Sequence, residues 1–308
     1  MTADIIRKIE EKTGIPGIVE MLSEKLSGAE LSSLLMEVYA GKAKKITPPL
    51  LLRQYRQNRF AHPAGTDMTG LLEKELLLLK HCSAHRFVPI ELSPVAQFGA
   101  CSVVAKADQK KIISAIRHTE VMADATNAIA LHIADLRQSG HAGHDLLRFC
   151  TVHRHLRTQP LPDPRFSAHF KIGCLVTAGR DSGHFGFELS SLGEHFTLWA
   201  SVLKEVFHIT DVRFRLLARD GYDSTVFLPA AQQYLQDTMG FDVSADQHPS
   251  PNQYYKGLQF KVIINIKGQD MEIADGGFND WTQLLLENKK ERLLTSGFGL
   301  SFLYQLQQ

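Results

Sequence analysis

Apolar and polar positions along the chain change rhythm several times, and each change marks an element. After "SGAE" at Ser27 to Glu30, which has capping-box spacing, Leu31, Leu34, Leu35, Val38 and Tyr39 recur on one helical face. Gly41 is the expected stop of that helix. "ITPPLLLRQYRQNRF" breaks at Pro48-Pro49 and restarts as a short helix with Arg53, Arg56 and Arg59 along one side. Those arginines fit either a phosphate-binding strip or a solvated face. "HPAGTD" (His62 to Asp67) reads as a linker, so the chain divides into a helical N-terminal segment, 1–62, and a core, 63–308.

Within the core the spacing predicts a capped helix in "DMTGLLEKELLLLKH", then a strand in "RFVPIELSPVAQFG" that ends near Pro94. "CSVVAKAD" reads as another strand, and "KKIISAIRHTEVM" stays ambiguous. Asp124 is placed to cap the amphipathic helix "TNAIALHIADLRQ". "LLRFCTVHRHLRT" and "HFKIGCLVTAG" read as strands joined by the proline-bearing loop "QPLPDPRFSA". The long helix "FELSSLGEHFTLWASVLKEVF", the strand "VRFRLLAR", and a helix from Pro229 stopping at Gly240 follow. Two alternating runs, "YYKGLQFKVIINI" and "QDMEIADGGFND", read as a hairpin. "WTQLLLEN" and "SGFGLSFLYQL" complete the chain. Without a regular βαβ beat, this is an α+β protein with a largely antiparallel sheet flanked by helices.

Bulk composition narrows the function classes only slightly. The 308 residues carry a formal charge of +1, with 44% hydrophobic and 22% charged residues. Nothing there calls for a nucleic acid or a membrane as partner. No apolar run approaches a bilayer span and the N-terminus lacks a signal-peptide core, so the expected location is cytoplasmic. Cys82, Cys101, Cys150 and Cys174 include no CxxC and read as reduced, buried thiols.

Candidate chemistry is sparse. His141, His144 and Asp145 sit in a loop; Cys150, His153 and His155 sit on a strand, where Cys150 and His153 would face opposite ways. Two same-face histidines do not make a metal site, and no metal is expected. "GRDSGHFGFE" is glycine-rich but lacks dinucleotide-binding spacing and reads as a turn. Tyr254 and Tyr255 are adjacent strand positions and would point oppositely. Gly276 and Gly277 suit either a tight bend or close approach of a ligand.

The segment "QYYKGLQFKV…EIADGGFND" resembles the histidyl-tRNA synthetase signature of Tyr-Tyr-Thr-Gly followed by Gly-Gly-Arg-Tyr-Asp. Other segments follow the class II synthetase order. "LLEKELLLLKH…FVPIELSPV" is similar to the first class II signature. "MADATNAIALHIA" is similar to the Arg-Pro-Glu-Gly-Thr element, "HRHLRT…PRFSAHFKIG" to the second signature and "SGFGLSFLYQL" to the third. The resemblance implies a class II synthetase-like core that is dimeric through residues 67–94. It also implies ATP or another nucleotide as cofactor, with Arg154 and Arg165 on phosphate and Asp124 on the ligand's amino group. Lys171, Tyr254, Tyr255, Gly276 and Gly277 would line the rest of the ligand site.

Departures from the pattern weigh against synthetase activity. The third signature's arginine is Phe302, the glutamate after the second signature's arginine is Leu156, and ligand-facing Gln and Glu become Lys171 and Leu175. The arginine upstream of the tyrosine pair is lost in "HPSPNQ", and an anticodon-binding domain does not follow. A phenyl ring supplies neither a guanidinium's charge nor its planar donors. Phosphoryl chemistry depends on such cations, and losing one costs about a hundred- to thousand-fold. The ATP phosphoribosyltransferase regulatory subunit, a non-charging relative of the synthetase, often has Asp where Asp124 stands. Three readings follow: a catalytically degenerate, regulatory protein binding an amino-acid- or nucleotide-like ligand and serving a partner enzyme; an active ligase adenylating an unusual carboxylate, with Arg157 or Arg180 as replacement cation; or a non-catalytic scaffold. None has tRNA as an expected partner.

Overall fold

The computed structural model describes residues 2–143, 145–159, 167–246 and 254–308. Four helices come first: α1 (Thr2–Thr13), α2 (Ile18–Glu24), α3 (Gly28–Ala43) and α4 (Pro48–Gln57). At the head of α3 the Ser27 side chain accepts from the Glu30 amide while the Glu30 carboxylate takes the Ser27 amide, a closed capping box. Gly41 does not stop α3, which runs on to Ala43. Leu34, Val38 and Tyr39 are exposed, so its apolar side does not reach the core.

Asp67 opens α5 (Met68–Ala84), accepting from the amides of Thr69 and Gly70. After α5 the expected long strand is reduced to β1 (Val88–Pro89) and β2 (Val95–Gln97); Pro89 and Pro94 have no amide to carry a ladder further. "CSVVAKAD" is not a strand either: Ala100–Val104 forms one wide helical turn. Its cause is Glu120, a fully buried carboxylate that accepts from the Gly99 and Cys101 amides and from Gln109 Nε2. Glu120 itself sits on β4 (Thr119–Val121), which with β2 and β3 (Ser114–Ala115) makes a small three-stranded sheet. Asp124 then caps α6 (Ala125–Gln138).

The main sheet has eight strands. Its ladder is built from β5 (Leu147–Leu156), β6 (His169–Arg180), β7 (Val212–Ala218), β8 (Val243–Asp246), β9 (Lys256–Ile266), β10 (Gln269–Asn279) and β11 (Glu291–Phe298). In space the order is β1-β5-β6-β11-β10-β9-β7-β8. The five central pairings are antiparallel, and the two edge pairings, β1–β5 and β7–β8, are parallel.

One sheet face is covered by α5, α7 (Gly186–Phe207) and α8 (Ser224–Gln233). α8 starts at the Asp223 cap, five residues before the expected Pro229, because Phe227 and Leu228 already face the core. Phe196 stacks on Phe214 of β7 at 4.0 Å and Trp199 on Phe298 of β11 at 5.2 Å, joining α7 to two strands through buried aromatic surface. On the opposite face α6 and α9 (Trp281–Leu286) cover only part of the sheet through Ile129, Ile133, Val176 and Trp281. What they leave open is a concavity over β6, β9, β10 and β11. The last helix, α10 (Leu300–Leu306), turns back beside β6, with Ser301 Oγ accepting from the Lys171 amide.

Candidate functional site

Strand alternation decides which candidate residues meet. On β5, Phe149, Thr151, His153 and His155 share the open face, and Arg157 follows with the same parity. Arg148, Cys150, Val152 and Arg154 share the face toward α5 and α7. Across the ladder Arg154 pairs with Lys171, so both point away from the concavity. Lys171 is ion-paired with Glu75 of α5, and Arg154 donates to His169 Nδ1 at 2.8 Å. The concavity-facing residues of β6 are instead Ile172 and Cys174. Arg154 and Lys171 therefore do not converge with Asp124; the cation that β5 delivers to the open face is Arg157. Leu175 is likewise on the far side, buried in the core. Arg165 lies outside the described residues.

Asp124, Tyr254 and Tyr255 do come together, in a cavity of about 280 Å³. Asp124 projects from the N-terminus of α6. One carboxylate oxygen accepts from the Thr126 amide at 2.9 Å and the Thr126 hydroxyl at 2.7 Å, and the other accepts from the Tyr254 hydroxyl. The two tyrosines do not alternate, because they form a bend ahead of β9 and lie outside its ladder. Their rings meet edge-on at 4.7 Å, and Tyr254 also abuts Trp281 at 5.0 Å. Burial pushes both phenols well above their ordinary range, so both are neutral hydroxyl donors.

Of the glycines around them, Gly277 alone makes room for one of these rings. Gly257 has φ +69, and a Cβ there would coincide with the Tyr222 ring. A Cβ on Gly277 would meet the Tyr255 ring at 2.7 Å and the Leu258 carbonyl at 2.5 Å, whereas one on Gly276 would meet Phe260 on the core side. Neither Gly276 nor Gly277 borders the cavity itself. The ladder slips between Gly277 and Phe278, so the double glycine also marks a bulge.

A second bulge, at Ile273, was not legible in the sequence. It reverses the alternation so that Glu272 and Asp275, three residues apart, both face the cavity. Lys261 of β9 sits between them, 3.4 Å from Glu272 and 3.5 Å from Asp275. Asp275 also accepts from Gln259 Nε2 at 3.2 Å. His155 closes the floor. Its Nε2 accepts from the Ala125 amide at 2.9 Å while Nδ1 donates to its neighbour's carbonyl, that of His153, at 3.0 Å. That tautomer is the neutral ring, and burial, reinforced by Arg157 and opposed by Asp124, lowers its pKa to about 4.

The cavity thus gathers three carboxylates (Asp124, Glu272, Asp275) and two cations (Arg157, Lys261) around neutral hydroxyls. Such a set recognises an ammonium group well and a polyphosphate poorly. Phe302, where the resemblance has an arginine, lies outside this cavity and borders a separate cleft with Arg154. His144 is outside the described residues. Among those described, no cluster of three or more His, Cys, Asp or Glu could hold a metal ion, and no helix is long and apolar enough to cross a membrane.

No established family profile and no curated protein matches the chain in sequence. Its fold does have counterparts among solved structures. It superposes on an apo histidyl-tRNA synthetase from S. aureus with TM-score 0.60 and 11% identity, over 80% of this chain and 68% of that one. A Bacillus halodurans protein described as an ATP phosphoribosyltransferase regulatory subunit/histidyl-tRNA synthetase gives 0.59 and 13%, covering 81% and 83%. A histidine–tRNA ligase subunit from Alicyclobacillus acidocaldarius gives 0.58 and 12%, covering 80% and 96%. The chain therefore has a class II synthetase-like core, α+β with a large central sheet flanked by helices.

Proposed function

We propose that this protein is a non-catalytic binder of a small amino-acid-like ligand, held by its ammonium group on Asp124, and that it acts by regulating a partner enzyme. The observation that carries the reading is the setting of Asp124: a side chain lining an open concavity, whose described hydrogen-bond donors are two hydroxyls and one amide, all neutral. A charged group held that way attracts a cation of complementary size. Arg157 on the same cavity suits the ligand's carboxylate. A volume of about 280 Å³ falls just below the roughly 300–1,000 Å³ of drug-sized ligand pockets, so a free amino acid suits it better than ATP.

Further support comes from where the described residues matched to the phosphate-binding positions lie. Charge stabilisation on a transferring phosphate calls for several converging cations, and Arg154 and Phe302 both lie away from Asp124. Dimerisation through residues 67–94 is part of the proposal: Leu76 and Leu77 of α5 and Val88 of the edge strand β1 are exposed. Four buried free thiols suit a cytoplasmic setting.

The test is thermal stabilisation and calorimetry of the whole chain against the twenty amino acids, with and without ATP. One or a few amino acids should bind without ATP, and Asp124→Asn should weaken them tenfold or more. Pyrophosphate exchange with ATP in the presence of the bound amino acid would overturn the non-catalytic reading. Silence across the whole panel would overturn the binding reading.

A further inference from the structure

Beside α10 lies a cleft of about 470 Å³ that the amino-acid reading does not use. Its walls come from the linker at Pro63 and Ala64 and from Met68, Leu71 and Leu72 on the first turns of α5. Phe170 and Ile172 of β6 and Phe302 of α10 complete them. β11 ends opposite Gly173, so the first residues of β6 have no ladder partner on that side, and the gap between β6 and α10 stays open. The volume falls within the range of small-molecule sites, and an apolar wall with few polar groups is their usual chemistry.

The polar groups in it have one sign. None of the described lining residues is an Asp or Glu; the ionisable ones are Arg154, Lys171 and His169. Lys171 is already committed to Glu75. His169 donates from Nε2 to the His62 carbonyl at 2.7 Å, which leaves Nδ1 to accept from Arg154 and fixes the imidazole as neutral. Arg154 is thereby oriented by a neutral partner that cancels none of its charge. Gln305 and Thr66 satisfy one another at 3.1 Å. What remains is an apolar cleft with one positioned guanidinium that meets no carboxylate among the described residues, and whose planar fork matches one.

We propose that this cleft binds an apolar carboxylate, a medium-length acyl or arylalkyl acid, with its tail between Leu72 and Phe302 and its carboxylate on Arg154. A ring at position 302 then contributes contact surface for the tail. The cleft adjoins the Asp124 cavity at Ile172 and Gly299 but differs in its lining, which includes none of Asp124, Glu272 and Asp275.

The experiment is calorimetric titration of the whole protein with butyrate, hexanoate, octanoate and decanoate, with decylamine as the opposite-charge control. Affinity should rise about three- to fourfold per methylene until the cleft is filled, and decylamine should bind at least tenfold more weakly than decanoate. Arg154→Met, at an exposed position, should weaken decanoate at least tenfold and erase that preference. Phe302→Ala should weaken decanoate but not butyrate. With ¹³C-methyl methionine, the Met68 resonance should shift on adding decanoate. Asp124→Asn should leave decanoate affinity unchanged, which separates failure here from failure of the amino-acid reading. Affinity independent of chain length, affinity untouched by Arg154→Met, an unmoved Met68 resonance, or loss of decanoate binding in Asp124→Asn would each overturn the proposal.

Discussion

Gly277→Ala tests whether the double glycine exists to seat Tyr255. The new Cβ would stand 2.5 Å from the Leu258 carbonyl oxygen, about 0.9 Å short of the 3.4 Å at which ordinary contact begins, and 3.0 Å from the Gln259 Cα. Both neighbours are backbone of the paired strand β9 and cannot rotate away. Overpacking of this kind costs about 1–3 kcal/mol. Alanine also lowers the entropy of the unfolded chain, an offset of about 0.4–1 kcal/mol. The net loss is about 0–2.6 kcal/mol, read as a lower urea midpoint and a thermal midpoint down by as much as about 4 °C for a chain of 308 residues. Because Tyr255 Cδ1 is the third close atom at 2.7 Å, near-ultraviolet circular dichroism of the tyrosines should change as well. Gly276→Ala, aimed at Phe260 and Ser296, should destabilise through the core instead. Gly41→Ala is the internal control: it lies within α3 with nothing in reach of its Cβ, and should stabilise by about 0.5–1 kcal/mol. An unaltered midpoint and tyrosine spectrum in Gly277→Ala, alongside the expected gain in Gly41→Ala, would show that the strands can part and the steric argument is mistaken.

Stability should fall with acid before the carboxylates titrate. His155 and His195 are buried neutral, their pKa values lowered by burial to about 4 and about 3, whereas unfolded histidine titrates near 6.5. The unfolded state therefore binds more protons between those values, and the urea midpoint should rise from pH 4 to about 6.5 and then level off. His155→Gln should flatten part of that slope. Leu76→Arg together with Leu77→Glu should convert a dimer to a monomer by sedimentation without lowering thermal stability below that of an isolated protomer. Asp67→Ala removes the α5 cap and the acceptor of the Tyr304 hydroxyl, and should cost about 1–2 kcal/mol in a denaturant titration.

The elements with strong local signals were legible from sequence. The Ser27 capping box, the Asp67 and Asp124 caps, the α7 periodicity and the β9–β10 alternation each state their structure within a few residues. What stayed hidden depends on distant partners. "CSVVAKAD" has strand composition, and only the carboxylate of Glu120, some twenty residues away, bends it into a turn. The apolar stripe of α3 promises burial, yet Leu34, Val38 and Tyr39 meet no core. At the candidate site, Asp124, Tyr254 and Tyr255 were singled out through the resemblance to the synthetase signature, and they line one cavity. Arg157, Glu272 and Asp275 needed strand parity and a bulge. The alternation of β5 alone separates Arg154 from His155 and Arg157.

That parity has a chemical consequence. Arg154 and Arg157 are three residues apart, so an extended strand must send them to opposite faces. A phosphate-activating centre needs its guanidiniums to converge on one group of oxygens, and no local rotamer change brings these two together through a sheet. The same divergence puts the two arginines in different surroundings: Arg157 lines the cavity that also holds Asp124, Glu272 and Asp275. Arg154 stands across the sheet in a wall with no described carboxylate. If both proposals hold, the two faces of one strand serve two small-molecule sites, and the chain senses rather than transforms.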